Sequence, residues 1–376
     1  MMKTFQVIPK ISMLDTAEEF IEKFSLSPED LVIASPSIWN RYFQKVQAGQ
    51  VILIRKYGSG EPTDEMVESI KKDVTKPYKR VVAIGGGTVI DVAKLFCLEK
   101  FIPVGDLFDH VFPAVKKVPL VIVPTTCGTG SEMTNISILE FKSRHTKFGL
   151  ADDALYADDA VLVPQLLESL PFSVFATSSI DALVHSLESY LSPKATDISE
   201  TLSLQAAKMI LTAYKKIQDA GKEKKMEAMR AEVGKVLTAS AMAGIAFGNA
   251  GCGTVHAMSY PLGAVYHVPH GEANYAMFTG VFKTYMKYLP DGKIKILNEE
   301  LAKILDCEKS DVYIKIEELL NENILCKKSL KEYGLRREEL LVFTHSVLAN
   351  QQRLLGNSYI PMTEERILSI YESLYD

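Results

Sequence analysis

Short apolar runs and helical stretches alternate along the first part of the chain. Asp30-Leu31-Val32-Ile33-Ala34-Ser35 and Gln50-Val51-Ile52-Leu53-Ile54 read as strands, and Thr63 to Lys72 has helical character behind Pro62. Arg80 to Ile84 is a further strand that runs into Gly85-Gly86-Gly87, and Val118 to Val123 is another that ends at Pro124. Strands that are apolar throughout and separated by helices predict a parallel sheet covered on both faces. After about Pro171 the strand signals fade. Ala206, Ala207, Met209, Ile210, Ala213, Tyr214 and Ile217 recur at the spacing of a helix with one buried face. Thr238 to Ala250 is rich in Ala and Gly, which lets helices pack closely, and the charged tail from Lys293 to Tyr375 holds amphipathic segments such as Thr363 to Leu374. The pattern divides the chain into an α/β domain over 1–171 and an all-helical domain over 172–376. Two domains make a cleft between them the expected place for a small molecule.

Composition narrows the class. With 376 residues, 47% hydrophobic and 24% charged, the chain is neither disordered, collagen-like nor a disulfide-stapled mini-fold. A formal charge of −5 gives no electrostatic reason for a nucleic-acid or anionic-membrane partner. The N-terminal stretch lacks a 7–15-residue apolar core and no window approaches a spanning helix of ~18 apolar residues, so a cytoplasmic protein is expected. The five cysteines (Cys97, Cys127, Cys252, Cys307 and Cys326) are odd in number, widely spaced and without a CxxC pair, which fits thiols in a reducing compartment. Trp39, the only tryptophan, is expected to pack on the first domain.

Histidine concentrates the chemistry. Seven are present, so about 0.3 is expected in a 15-residue window. Residues 256–270 nonetheless hold His256, His267 and His270. Pro261 and Pro269 interrupt this segment, which predicts a helix end, a turn and a constrained loop on which imidazoles converge. Upstream, Asp181 and His185 stand four apart on one helix face. Such a pair is common in helices as a plain structural contact, but joined to two histidines of the later segment it makes an Asp/His₃ set for a divalent metal.

Two further segments follow strands. In Gly85-Gly86-Gly87-Thr88-Val89-Ile90-Asp91, glycines permit close backbone approach and the helix start favours an anion. The spacing is not GxGxxG. Pro124-Thr125-Thr126-Cys127-Gly128-Thr129-Gly130-Ser131-Glu132 repeats the logic with hydroxyls. Each alone also fits a structural turn; together, at strand ends of one sheet, they point to a phosphate-bearing ligand.

The segments GGGTVIDVAK, PTTCGTGSEMT, DALVHSLE and HAMSYPLGAVYHVPHG resemble, in order and spacing, the signature segments of the iron-containing (group III) alcohol dehydrogenase family. The likeness runs from the first strand to the closing GNSYIPMTEERILSIY. It implies an N-terminal dinucleotide-binding α/β domain with a parallel sheet, an all-α C-terminal domain, and a dehydroquinate synthase-like architecture. It also implies NAD as cofactor and a divalent metal, Fe²⁺ ahead of Zn²⁺. The implied reaction interconverts a primary alcohol and its aldehyde, with 4-hydroxybutyrate and succinate semialdehyde expected and a general short-chain alcohol or butanol next. A homo-oligomer, a dimer first, is implied as well.

Carried over residue by residue, the resemblance puts the metal on Asp181, His185, His256 and His270. It puts the pyrophosphate on Gly85, Gly86, Gly87 and Thr88 with Asp91 following, the nicotinamide and adenine side on Thr125, Thr126 and Thr129, and the ribose on Lys147. Three positions depart from the family pattern. Ser35 stands where many members have an Asp that binds the adenosine ribose, which removes a repulsion against a 2′-phosphate and leaves room for NADP. Tyr260 replaces a second histidine, so a proton relay would pass to Tyr260, to His267 or to water. Glu61 stands before Pro62 where Asn is usual. A dehydroquinate synthase-like lyase is a remoter alternative, for which the helical half lacks a cationic cluster beside its histidines; a non-enzymatic metal or nucleotide sensor is another.

Overall fold

A computed structural model describes residues 4–144 and 146–376. The chain forms two compact units, Val7–Leu170 and Pro171–Asp376, and Gln6 goes with the second, where its backbone exchanges hydrogen bonds of 2.8 and 3.0 Å with the Asn249 side chain.

In the first unit the strands are β1 (Lys10–Met13), β2 (Asp30–Ala34), β3 (Gln50–Leu53), β4 (Arg80–Gly85), β5 (Leu120–Pro124), β6 (Ile136–Phe141), β7 (Thr146–Ala151) and β8 (Asp159–Leu162). Six form a sheet in the order β1-β8-β5-β4-β2-β3, with every pairing parallel. β2 and β5 are buried along their whole length, as expected for strands covered on both faces. The helices include α1 (Ala17–Phe24), α2 (Asp64–Asp73) and α3 (Gly87–Phe96). Thr63 caps α2 by accepting from the Met66 amide at 3.0 Å, which is why the helix begins just after Pro62. Leu31, Ile33, Val81, Ala83 and Ile122 of the sheet join Val67, Ile70, Val92 and Phe96 of the helices in one core. Trp39 is buried here and stacks on Phe43 with ring centroids 5.7 Å apart. The apolar runs did not announce β6 and β7, which pair antiparallel as a separate ribbon.

Between β2 and β3 the chain moves outward, and β4 then returns to the other side of β2. That reversal opens a crevice at the carboxyl ends of the strands, where sheets of this kind bind ligands. Ser35 follows β2, Gly85 to Gly87 close β4, and Thr125 and Thr126 follow β5, so all flank this point.

The second unit is helical: α4 (Phe172–Leu191), α5 (Asp197–Ala250), α6 (Thr254–Tyr266), α7 (His270–Tyr288), α8 (Lys293–Leu305), α9 (Val312–Asn323), α10 (Glu339–Asn350), α11 (Gln352–Leu355) and α12 (Glu364–Ser373). α5 bends at Gly221, whose φ of 72° is left-handed. No single helix among the described residues is long and apolar enough to cross a membrane.

One local expectation needs correcting. Pro261 does not end a helix but lies inside α6, and α7 begins at His270 directly after Pro269. Proline withdraws one backbone donor and crowds the preceding turn. The carbonyl that loses its helical donor is that of Ala257, and the helix nonetheless continues through Pro261 to Tyr266.

Candidate metal centre and cofactor loops

The metal centre is assembled from three helices of the second unit. α4 carries Asp181, His185 and Glu188 at i, i+4 and i+7, all on one buried face. His256 lies in the first turn of α6, and His270 is the first residue of α7. Gly271 lets α7 start there, because a Cβ at this position would meet the Thr177 carbonyl of α4 at 1.9 Å.

One ligand atom from each of Asp181, His185, His256 and His270 lies within 4.8 Å of the others. Asp181 Oδ1 is 3.7 Å from His185 Nε2 and 3.6 Å from Nε2 of both His256 and His270. Those separations are the edges subtended by bonds of about 2.2 Å from a common centre, the length of ordinary metal–nitrogen and metal–oxygen bonds. Asn274 gives a second indication. Its Nδ2 donates to Asp181 Oδ1 at 2.8 Å and lies 3.2 and 3.3 Å from Nε2 of His256 and His270, while its buried Oδ1 has no hydrogen-bond partner among the described residues. Three lone-pair acceptors converge on one positively polarised group, an arrangement that a cation satisfies. The residues fit a divalent metal.

The tautomer of His256 follows from its other nitrogen. Nδ1 lies 2.6 Å from Glu188 Oε2 and donates to that carboxylate, leaving the Nε2 lone pair toward Asp181. Glu188 also accepts from the Gly253 amide at 3.0 Å and the Val255 amide at 2.6 Å, so it ties α4 to the start of α6. Burial alone would raise the Asp181 carboxyl, but the three imidazoles outweigh it and hold it well below the usual carboxylate range. Burial likewise opposes charge on His256, yet Asp181 and Glu188 draw it up to about 9 in the metal-free protein.

Neither Glu188 nor Asn274 was singled out by sequence reasoning. Glu188 carried a signal, since it continues the Asp181/His185 face by three residues; Asn274, one turn after His270, carried the same kind. The Tyr260 ring lies 6.0 Å from that of His270. His267 is exposed in a left-handed turn at the end of α6.

In the first unit the two loops meet. A Cβ on Gly86 would touch Thr126 Cγ2 at 3.0 Å and one on Gly87 would reach Thr129 Cγ2 at 2.8 Å, so these residues form one surface. Gly86, Gly87, Thr88, Thr126 and Thr129 are partly exposed on it, whereas Thr125 is buried and its amide donates to the Gly85 carbonyl at 3.0 Å. Thr88 Oγ1 donates to the Gly60 carbonyl at 2.8 Å. Asp91 is turned into the unit: Oδ1 accepts from Ser131 Oγ at 2.6 Å and Oδ2 from the Ile138 amide at 3.1 Å. Both oxygens are thus engaged by the protein itself. The Ser35 amide donates to the Ile84 carbonyl at 2.9 Å, beside Gly85. Lys147 forms an ion pair with Glu61, which brings together two positions that the sequence presented separately.

A parallel-sheet unit with glycine and threonine loops, and a helical unit with an Asp/His₃ centre, define a metal-dependent dehydrogenase fold. The pattern of iron-containing alcohol dehydrogenases matches residues 9–164, and that of the family's C-terminal part matches 175–375. The chain belongs to the iron-containing alcohol dehydrogenase family. It is 46% identical over 376 residues, covering 100% of both chains, to 4-hydroxybutyrate dehydrogenase of Clostridium kluyveri. It is 32% identical to long-chain-alcohol dehydrogenase 1 of Geobacillus thermodenitrificans, over 79% of this chain and 75% of that one. Sulfoacetaldehyde reductase from Bifidobacterium kashiwanohense, solved in complex with NAD⁺, has the same fold with a TM-score of 0.82 at 22% identity, covering 100% of this chain and 99% of its own.

Proposed function

We propose that this chain is a metal- and NAD-dependent oxidoreductase that interconverts 4-hydroxybutyrate and succinate semialdehyde. The full-length identity of 46% to the Clostridium kluyveri enzyme carries the substrate. The family and the donor set of Asp181, His185, His256 and His270 support the chemistry.

Bound by these four residues, a divalent cation, Fe²⁺ first, supplies a Lewis acid that favours the alkoxide and polarises the aldehyde. Asp181 is the single anionic ligand, so the loaded centre keeps net positive charge toward an alkoxide. Glu188 fixes the tautomer and orientation of His256, and Asn274 hydrogen-bonds the ligand atoms. Of the two relay candidates, Tyr260 is the one beside a ligand, and it takes the role of passing the alcohol proton outward. NAD supplies the hydride acceptor. Gly86, Gly87 and Thr88, at the start of α3, present backbone amides to its pyrophosphate. Thr126 and Thr129 line the same surface, Ser35 faces the adenosine ribose, and the Lys147–Glu61 pair provides a ribose contact. Asp91 holds the loop after β5 in place through Ser131. The buried thiols of Cys97, Cys127 and Cys252 suit a reducing cytoplasm, with a homodimer expected.

The test is a steady-state assay of protein loaded anaerobically with Fe²⁺, following NADH and NADPH against succinate semialdehyde, butyraldehyde and lactaldehyde. Succinate semialdehyde with NADH is expected to give the highest kcat/KM. Higher kcat/KM for butyraldehyde would replace this substrate with a general short-chain aldehyde.

A further inference from the structure

Glu188 can orient His256 only while the start of α6 stays against it. The two amides that this carboxylate holds, those of Gly253 and Val255, follow directly on the loop 251–253 that joins α5 to α6. The loop has little of its own to fix it. Gly251 is left-handed at φ 80°, and neither it nor Gly253 has a side chain to anchor.

The anchor comes from about a hundred residues further along the chain. α11 packs against α6, and the residues just after α11, Asn357 and Ser358, lie on the loop. Asn357 is buried, and its Nδ2 donates to the Cys252 carbonyl at 3.0 Å. A Cβ on Gly251 would collide with the Asn357 carboxamide; one on Gly253 would meet Glu188 Oε1 at 3.2 Å and Ser358 Cα at 3.6 Å, so Gly253 packs against both residues. The Ser358 and Thr254 hydroxyls are 2.6 Å apart, and Thr254 Oγ1 also accepts from the Tyr285 hydroxyl of α7 at 2.8 Å. Asn357 Oδ1 has no hydrogen-bond partner among the described residues. A buried carboxamide with one end unsatisfied is a costly way to fill space. Packing alone would be served by an apolar side chain of the same shape, so the bond to Cys252 is what the asparagine supplies.

Resting on the metal reading above, we infer that Asn357, with Ser358 beside it, is a positioning residue for the metal centre: it holds the loop between α5 and α6 where the Gly253 and Val255 amides and His256 Nδ1 meet the Glu188 carboxylate. It acts through Glu188 and not on the metal ligands directly. Ligands organised before the metal arrives give up less freedom on binding it. Loosening the loop frees the His256 ring from the direction of Asp181 Oδ1, and metal affinity falls.

The experiment is a double-mutant cycle of Asn357→Leu and Glu188→Gln in the full chain, with Co²⁺ affinity measured by chelator competition and the visible absorption of bound Co²⁺ recorded alongside. Asn357→Leu is expected to lower Co²⁺ affinity about 3- to 10-fold in the otherwise wild-type chain, less than for a residue bonded directly to a ligand, and by less than about twofold in the Glu188→Gln background. A general structural role would cost the same in both backgrounds. Ser358→Ala removes a single hydroxyl and is expected to give the same pattern through the same cycle, so the test does not depend on how Asn357→Leu folds. Unchanged affinity in the single variants, or equal losses in the two backgrounds, overturns the inference and leaves the metal reading standing. A wild-type chain that retains neither Co²⁺ nor Fe²⁺ overturns the metal reading, and this inference with it.

Discussion

Glu188 Oε2 lies 2.6 Å from His256 Nδ1, and both side chains are buried. The same carboxylate holds two backbone amides at the start of α6, so a single residue sets both the ring's tautomer and the position of the helix that carries it. Glu188→Gln keeps the size but puts an NH₂ group against one of those donors. Metal affinity, measured by chelator competition, is expected to fall about 10- to 100-fold. The thermal midpoint of the metal-free protein is expected to drop as well, because buried amides lose an acceptor. Unaltered affinity would show that His256 does not depend on Glu188 for its orientation.

His256 and His270 differ in burial within one ligand set. The His256 side chain is 4% exposed and that of His270 31%. Both His256→Ala and His270→Ala are expected to abolish metal retention and aldehyde reduction together, read by metal analysis after gel filtration and by NADH oxidation. Only His256→Ala also leaves the Glu188 carboxylate without its imidazole, and it is expected to lower the metal-free thermal midpoint more. Activity retained in both variants would mean that the ligand set is wrong.

Ser35 follows β2 beside Gly85, at the carboxyl edge of the sheet. Ser35→Asp would place a carboxylate there that accepts hydrogen bonds from a ribose and repels a 2′-phosphate. The ratio of kcat/KM with NADH to that with NADPH is expected to rise about tenfold or more. An unchanged ratio would show that Ser35 is not at the adenosine ribose.

Much of this was readable in the chain because the informative features are local. β2, β3, β4 and β5 are uninterrupted apolar runs, and Asp181 with His185 is an i,i+4 pair. Asn274 stands one turn after His270, but its hydrogen bond to Asp181 exists only because α7 meets α4. The resemblance puts Asp91 just after the pyrophosphate glycines, whereas its partners Ser131 and Ile138 come from after β5 and meet it only in the folded unit.

Glu132 offers a test of buried charge in the first unit. The residue is 1% exposed, Oε1 has no hydrogen-bond partner among the described residues, and burial pushes the carboxyl up to about 7, opposed only in part by a hydrogen bond from its own backbone and then by the Lys94 ammonium. Burial likewise brings Lys94 down to about 8. A carboxyl that is raised on folding binds its proton more tightly in the native state than in the unfolded chain, where its value is 4.5. Its contribution to stability is therefore complete below that value and is lost as pH rises through about 7. Lys94, lowered on folding, has the opposite slope, but only from about 8 upward, so between pH 5 and 7.5 the glutamate governs. Glu132→Gln keeps a neutral group of the same shape at every pH. Relative to wild type, the metal-free variant is expected to gain stability steadily from pH 5 to 7.5, on the order of 2 kcal/mol across the window. Thermal midpoints measured at half-unit steps check this. A constant difference between the two proteins over that range would show that Glu132 is already ionised in the folded chain at pH 5.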